Sequence, residues 1–260
     1  MTRVVIQHNS GQFSDTPFEH ISDARATFAH AVKVGAWAVT GTESANAPKN
    51  HDARDALLHC GAEANFFVFA HPYGEWVALN RRFLKNFDHG YMGPYIPGTH
   101  GLDAAHGAHA PRGIAWAQGV AKDGVTGKIT VGSTHWNTPA QNKATGQSNS
   151  KMAKGSQAFG LRHGRDKDIV FLNGDANERD DATDIFEGGD FLTIADERKD
   201  WPKTHGLNTK RGTAIDFIAS WTRDNRVSAV DYEVLDDSQL KLFFDHFVLV
   251  GTFEIRPLHR

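Results

Sequence analysis

The sequence predicts a layered α+β protein, and three observations carry that prediction. Short apolar runs of strand length recur from one end of the chain to the other. Helix-patterned segments fall between some of them, and the two do not alternate in the regular way of a doubly wound parallel sheet. A chain of 260 residues with 40% apolar residues can bury a large core near the upper limit for one domain, so residues 1–260 are read as a single domain.

Taken in chain order, the first strand is Val4-Val5-Ile6. A helix follows with a clear start: Thr16 as N-cap, Pro17 at the first helical position and Glu19 completing a capping box. Phe18, Ile21, Arg25, Phe28 and Val32 recur at roughly helical spacing and are expected to face the core. Strands come next at Ala36 to Val39, Phe66 to Phe69 and Trp76 to Leu79. The stretch from Asp88 to Arg112, rich in Gly, His and Pro, reads as a long surface loop near a functional site. Strands resume at Gly113 to Ala117 and Lys128 to Val131. One helix is expected from Thr138 to about His163, although Gly146, Gly155 and Gly160 weaken it. The strand Asp168 to Leu172, a short helix from Asp180 to Phe186, and strands Ala214 to Ile218, Val227 to Leu235 and Phe247 to Val250 complete the chain. No internal repeat or linker interrupts this order.

A net charge of −3 excludes a polycation that coats nucleic acid indiscriminately, so any attraction for phosphate has to be local. The N-terminus lacks the apolar stretch of a signal peptide and no window approaches a membrane span. The expectation is a cytoplasmic protein without an obligate protein partner. Cys60 is the only cysteine, which excludes an internal disulfide and a thiolate metal site. His100, His106 and His109 cluster without a zinc-site spacing and read as a solvated loop. Charge is nonetheless uneven. From Gly124 through Arg165 there is no acidic residue, while Lys128, Lys143, Lys151, Lys154, Arg162 and Arg165 are present; the stretch from Asp180 to Asp200 is strongly acidic. Either run can be a plain solvated face, and the basic one can also be a groove that follows phosphates.

Carboxylates, amides and histidines gather where strands are expected to end. Asn9 follows the first strand, Glu43 follows the second, and His135 closes the strand of Ile129 and Val131. Asp175 and Asn177 follow Leu172 in Gly174-Asp175-Ala176-Asn177, where the glycine is expected to allow a sharp turn; Asp216 lies in the next strand, and Asp245 and His246 begin the last. Singly, each has an ordinary structural explanation as a turn, surface or packed polar residue. As a set they offer hard oxygen ligands of the kind Mg²⁺ prefers, with histidines beside them.

The succession Gln7-His8-Asn9, Thr42-Glu43-Ser44, Ser133-Thr134-His135-Trp136-Asn137, Gly174-Asp175-Ala176-Asn177, Ile215-Asp216-Phe217-Ile218 and Asp245-His246 resembles, in order and across nearly the whole chain, the motifs of the endonuclease/exonuclease/phosphatase superfamily. The resemblance implies a four-layer α/β/β/α sandwich with two packed mixed β-sheets. It also implies hydrolysis of phosphoric esters with Mg²⁺, for which Mn²⁺ or Ca²⁺ can substitute. Glu43 is then the main metal ligand, with Asn9 nearby and Asp245 a second contributor. Asp175 orients or deprotonates the attacking water, and Asn177 holds that water or the phosphate. His246 contacts the phosphoryl oxygens with Asp216 on its other ring nitrogen, and His135 stabilises the phosphate or assists the leaving group. The base is left open between Asp175 and the acidifying effect of the cation on water. The chain departs from the pattern where Phe244 and Val248 flank Asp245-His246-Phe247 in place of the usual serine and proline, and where Thr42 precedes Glu43 in place of glutamine. No middle-motif tyrosine stands out between Tyr91 and Tyr95.

Three activities compete on this basis. A nuclease with DNA or RNA as its nucleic-acid partner is favoured by the basic segment between His135 and Asp175 and by Trp136 as a residue that stacks on bases, while Arg112 and Arg211 are candidate phosphate contacts. The alternatives are a phosphomonoesterase or phospholipid-headgroup enzyme using the same residues, and a catalytically idle binding domain.

Overall fold

Two mixed sheets pack face to face with helices on the outer face of each. The computed structural model describes residues 1–9, 17–42, 51–99, 110–177, 191–193, 216–235 and 248–258. In chain order the elements are β1 (Thr2–Asn9), α1 (Pro17–Lys33), β2 (Ala36–Gly41), α2 (His51–Glu63), β3 (Phe66–Ala70), β4 (Trp76–Asn80), β5 (Leu84–Ile96) and β6 (Arg112–Ala121). Then come β7 (Lys128–His135), α3 (Pro139–Thr145), α4 (Ser150–His163), β8 (Ile169–Asp175), β9 (Phe191–Thr193), β10 (Asp216–Trp221), β11 (Val227–Leu235) and β12 (Val248–Ile255). One sheet has the order β11-β12-β1-β2-β4-β3 and the other β5-β6-β7-β8-β10-β9.

The alternation of strand residues between two faces divides the core into three layers. Val4, Ile6, Ala38, Val77, Ile129, Val131, Ile169 and Phe171 meet between the sheets. Phe28, Leu57, Phe66, Trp76 and Val250 lie under α1 and α2, while Phe159, Met152, Leu172, Val170 and Trp221 lie under α4. Each fully buried aromatic or aliphatic side chain of this kind contributes about 1.5–3 kcal/mol. All ten strands read from the apolar runs are present. The expected α+β class and four layers hold.

Several local expectations need correction. The face of α1 that packs is Ala24, Thr27, Phe28 and Ala31, whereas Ile21 and Val32 are 40% and 51% exposed and Arg25 is exposed. Small side chains let α1 approach α2 and put the Phe28 ring 5.2 Å from that of Phe66. The start at Pro17 is as expected, but Thr16 lies outside the described residues. The sequence reading missed α2, whose buried stripe of Ala53, Ala56, Leu57 and Cys60 has helical spacing but little hydrophobic contrast. Residues 88–96 of the expected loop belong to β5, because Tyr91 and Met92 pair with Ala115 and Ile114 of β6. The helix expected from Thr138 to His163 is two helices. Thr138 and Gln141 form a capping box on α3, and Gly146, at φ 64, ends it. The helix expected at Asp180 to Phe186 and the histidines 100, 106 and 109 lie outside the described residues. Among the described residues no helix is long and apolar enough to cross a membrane.

Candidate active site at the carboxyl ends of the parallel strands

Each sheet contains one parallel pair among its described strands, β1 with β2 and β7 with β8. Two buried hydrogen bonds join the ends of these pairs across the sandwich. Ser133 Oγ of β7 donates to the Gly41 carbonyl of β2 at 2.8 Å, and Asn173 Nδ2 of β8 donates to Thr40 Oγ1 of β2 at 3.0 Å. The carboxyl ends of all four strands therefore lie at one end of the molecule. β12 also begins there, with Val248 opposite Asn9, and so does β10, with Asp216 opposite Asp175.

At that end His135 and Asp175 are register partners on adjacent parallel strands. His135 Nε2 lies 3.5 Å from Asp175 Oδ2, and both side chains are buried. His135 Nδ1 is 2.9 Å from Arg112 Nη1. A guanidinium has no acceptor, so Nδ1 must accept and the proton of the neutral imidazole sits on Nε2, facing the carboxylate. Arg112 Nε also donates to Asn137 Oδ1 at 3.2 Å. Asn137 is fixed in turn by Asn149, which accepts from its main-chain N–H at 3.2 Å and donates to its carbonyl at 2.9 Å. Beyond β8 the chain turns as Asp175 Oδ1 accepts from the Asn177 N–H at 2.7 Å, with Asn177 at φ 57 and its Nδ2 donating 2.8 Å to the Trp136 carbonyl. Asparagine tolerates that left-handed conformation better than most residues.

The structure thus brings together Arg112, His135, Asp175, Asn177 and Asp216, and places Asn9 at the same end by its backbone; the Asn9 side chain is not among those described. Glu43, Arg211, Asp245 and His246 lie outside the described residues. Three expectations change. Trp136 has 0% exposure and packs edge-on to Phe217, so it cannot stack on a base. Gly174 does not form a turn: it lies within β8, and a Cβ there would stand 2.3 Å from the Thr134 carbonyl oxygen. The basic run does not form one groove beside the site, because Lys128 begins β7 and lies some 23 Å of strand away from His135. Lys128 pairs there with Asp168 at 2.6 Å.

The choice between Tyr91 and Tyr95, open in the sequence, is decided by the strand that carries them. Tyr91 and Tyr95 would share a face in a regular strand, but the irregularity between Met92 and Ile96 separates them. Tyr91 covers Gly113, next to Arg112, and stacks on His71 at 3.9 Å, whereas Tyr95 covers Gly155 of α4. Burial, helped by the charges of Glu75 and Tyr73 and opposed by Arg112, pushes the Tyr91 phenol far up, so it stays protonated. Burial, with the Arg54 charge adding, lowers His71 to about 4 and leaves it neutral at neutral pH. Ser133 and Asn173 were given no role in the sequence analysis. Their signal was a polar residue inside an otherwise apolar strand. For a divalent cation, the described residues contain no cluster of three or more His, Cys, Asp or Glu. Among the described residues, Asp175 and Asp216 are two buried carboxylates at this end that stand directly opposite each other.

No family model matches the sequence, and no curated protein is similar to it in sequence. Solved structures do match. The endonuclease/exonuclease/phosphatase from Bacteroides vulgatus has a TM-score of 0.70 at 14% identity, covering 98% of this chain and 100% of that one. The Bacteroides thetaiotaomicron mannosyl-6-phosphatase has a TM-score of 0.69 at 15% identity, covering 96% of this chain and 99% of that one. D. rerio TDP2 complexed with a single-strand DNA product has a TM-score of 0.67 at 14% identity, covering 98% of this chain and 100% of that one. The likeness extends over almost the entire length of each.

Proposed function

We propose that this chain, which has the endonuclease/exonuclease/phosphatase fold, is a divalent-metal-dependent phosphoesterase that hydrolyses nucleic-acid phosphodiesters. The observation that carries the reading is the meeting of Asp175, Asp216, His135 and Arg112 at one end of the sandwich, where both parallel strand pairs terminate. Glu43, Asn9 and Asp245 are assigned to hold Mg²⁺, with Mn²⁺ or Ca²⁺ as substitutes; the cation would neutralise charge on the phosphoryl oxygens.

The remaining roles fall to the chain itself. Asp175 is assigned the attacking water, since the Asn177 main-chain N–H and His135 hold its carboxylate in one orientation. Asn177 steadies that turn and is assigned the contact with water or phosphate. His246, supported by Asp216, is assigned the phosphoryl oxygens, and Arg211 an outer phosphate. His135, expected at the phosphate or leaving group, and Arg112, expected at a phosphate, are instead assigned as positioning residues, because the Nδ1 face of the ring is taken by the guanidinium and the Nε2 face by Asp175.

Nucleic acid is preferred as substrate because a neighbour of the same fold was solved with a single-strand DNA product, and because Lys143, Lys151 and Lys154 follow His135 on α3 and α4. A phosphomonoesterase is the second reading, favoured by the equally similar mannosyl-6-phosphatase. Purified protein incubated with supercoiled plasmid, single-stranded DNA, RNA and p-nitrophenyl phosphate, with Mg²⁺ or EDTA, separates the two. We expect nucleic-acid cleavage that stops on chelation and falls by roughly 10²–10⁴ in Asp175→Ala. Turnover of the monoester alone moves the assignment to a phosphatase. No turnover of any ester with metal present refutes both.

A further inference from the structure

At the opposite end of the sandwich a pocket of about 250 Å³ is lined by Lys167, Asp224, Arg226, Arg256 and Pro257. These residues come from three segments: the turn entering β8, the turn between β10 and β11, and the chain leaving β12. The seven residues of β8 separate this pocket from Asp175 by about 20 Å, so it is not part of the candidate active site.

The lining carries three cations against one carboxylate. Arg226 is 4% exposed and rigidly held: Nη2 donates to the Thr126 and Lys167 carbonyls, each at 2.7 Å, and Nη1 to the Arg256 carbonyl at 3.3 Å. Its Nε makes no hydrogen bond. The closest carboxylate, Asp224 Oδ1, stands 3.6 Å away, within ion-pair reach but beyond a hydrogen bond. Asp168, paired with Lys128, and Asp123, which accepts from the Val125 and Thr126 N–H groups, also attract Arg226. Arg256 donates to the Asn225 carbonyl, and the exposed Lys167 ammonium has no partner among the described residues. A buried guanidinium with one N–H outside any hydrogen bond thus sits beside two exposed cations, and only one carboxylate belongs to the pocket lining.

We propose that this pocket is an oxyanion site that takes a phosphate group, with Arg226 as its fixed floor and Lys167 and Arg256 as its adjustable walls. At about 30 Å³ per water, the space admits a phosphate together with part of its hydration. The phosphate has two sources, a free small anion or the backbone of a long nucleic acid. The site stands independently of the proposed hydrolysis.

The test is an amide-resolved NMR titration of the full chain with inorganic phosphate and, separately, with a short single-stranded DNA. We expect saturable shifts at Lys167, Asn225, Arg226 and Arg256. The double variant Lys167→Ala/Arg256→Ala, altered only at exposed side chains, should bind at least about ten-fold more weakly. Asp224→Asn should bind more tightly, since it removes the one carboxylate of the lining. Shifts at these amides with phosphate alone identify a free anion as the ligand; shifts with both probes identify a backbone phosphate. Unperturbed amides with both probes, or equal affinity in native protein and double variant, overturn the site. The double variant should retain native turnover of the monoester and plasmid. Anion binding without any ester hydrolysis would therefore reject the proposed activity and leave this site standing.

Discussion

His135 shows how one neighbour decides what a catalytic-type residue is able to do. A histidine ending a strand beside a Gly-Asp-x-Asn segment invites assignment to the substrate, and the sequence supports that far. Which ring nitrogen carries the proton is decided by Arg112, twenty-three positions earlier, which offers Nδ1 nothing but donors. Nitrogen-15 spectra of the ring should therefore show Nε2 protonated and Nδ1 bare at neutral pH, and a bare Nε2 would remove His135 from the position assigned to it beside Asp175. Trp136 makes the same point from the other direction. An aromatic next to a candidate site reads as a stacking platform until its burial is known, and at 0% exposure it belongs to the core. Tyr91 carries the opposite lesson: a strand irregularity, invisible in the sequence, turns it toward Arg112 and sends Tyr95 to α4.

Elements were legible where their pattern was strong. Every apolar strand run became a strand, because β-branched and aromatic residues in short runs suit a pleated, buried surface. Helices α1 and α2 were harder, since apart from Phe28 and Leu57 their packing faces are built from Ala, Thr and Cys and give little contrast with their outer faces. Close approach between elements is equally hidden. Gly174 looks like a turn glycine, yet it is needed because β7 and β8 run so near each other that a methyl group would strike the Thr134 carbonyl. Gly174→Ala should therefore cost about 1–3 kcal/mol, seen as a lower urea midpoint at unchanged slope, and should reduce activity by shifting Asp175. Gly146→Ala provides the contrast: its added methyl meets nothing within 4 Å, and only the left-handed φ of 64 opposes it, at about 1 kcal/mol and with activity unchanged. Equal costs, or activity loss in both, would contradict this account of the β7–β8 approach.

For the whole molecule, the layered architecture stores buried histidines whose titration opposes folding. His163 lies 8% exposed between the Trp116 and Phe159 rings, its Nε2 without a partner. Burial first, then the Arg162 and Lys128 charges, lower its pKa to about 4, with Asp88 opposing. The unfolded chain then binds a proton near the ordinary value of 6.5 that the folded chain refuses, so stability is full above that pH and falls as pH drops toward 4. The loss from this residue is roughly 3 kcal/mol at most, and His71 adds in the same direction. Urea unfolding between neutral pH and about pH 4 should show that slope, and His163→Leu should flatten it; an unchanged slope in the variant would exclude His163 as its source. The sequence by itself determined the α+β class, the strand positions and the clustering of Asn9, His135 and Asp175 at strand ends, because strand runs and turn chemistry act over a few residues. Only the tertiary structure decided that these ends meet, through hydrogen bonds between residues 92 and 133 positions apart, and which candidates are core. It also gathered Lys167, Arg226 and Arg256 around one pocket. Contacts across such distances depend on how sheets and helices pack, and no local pattern records them.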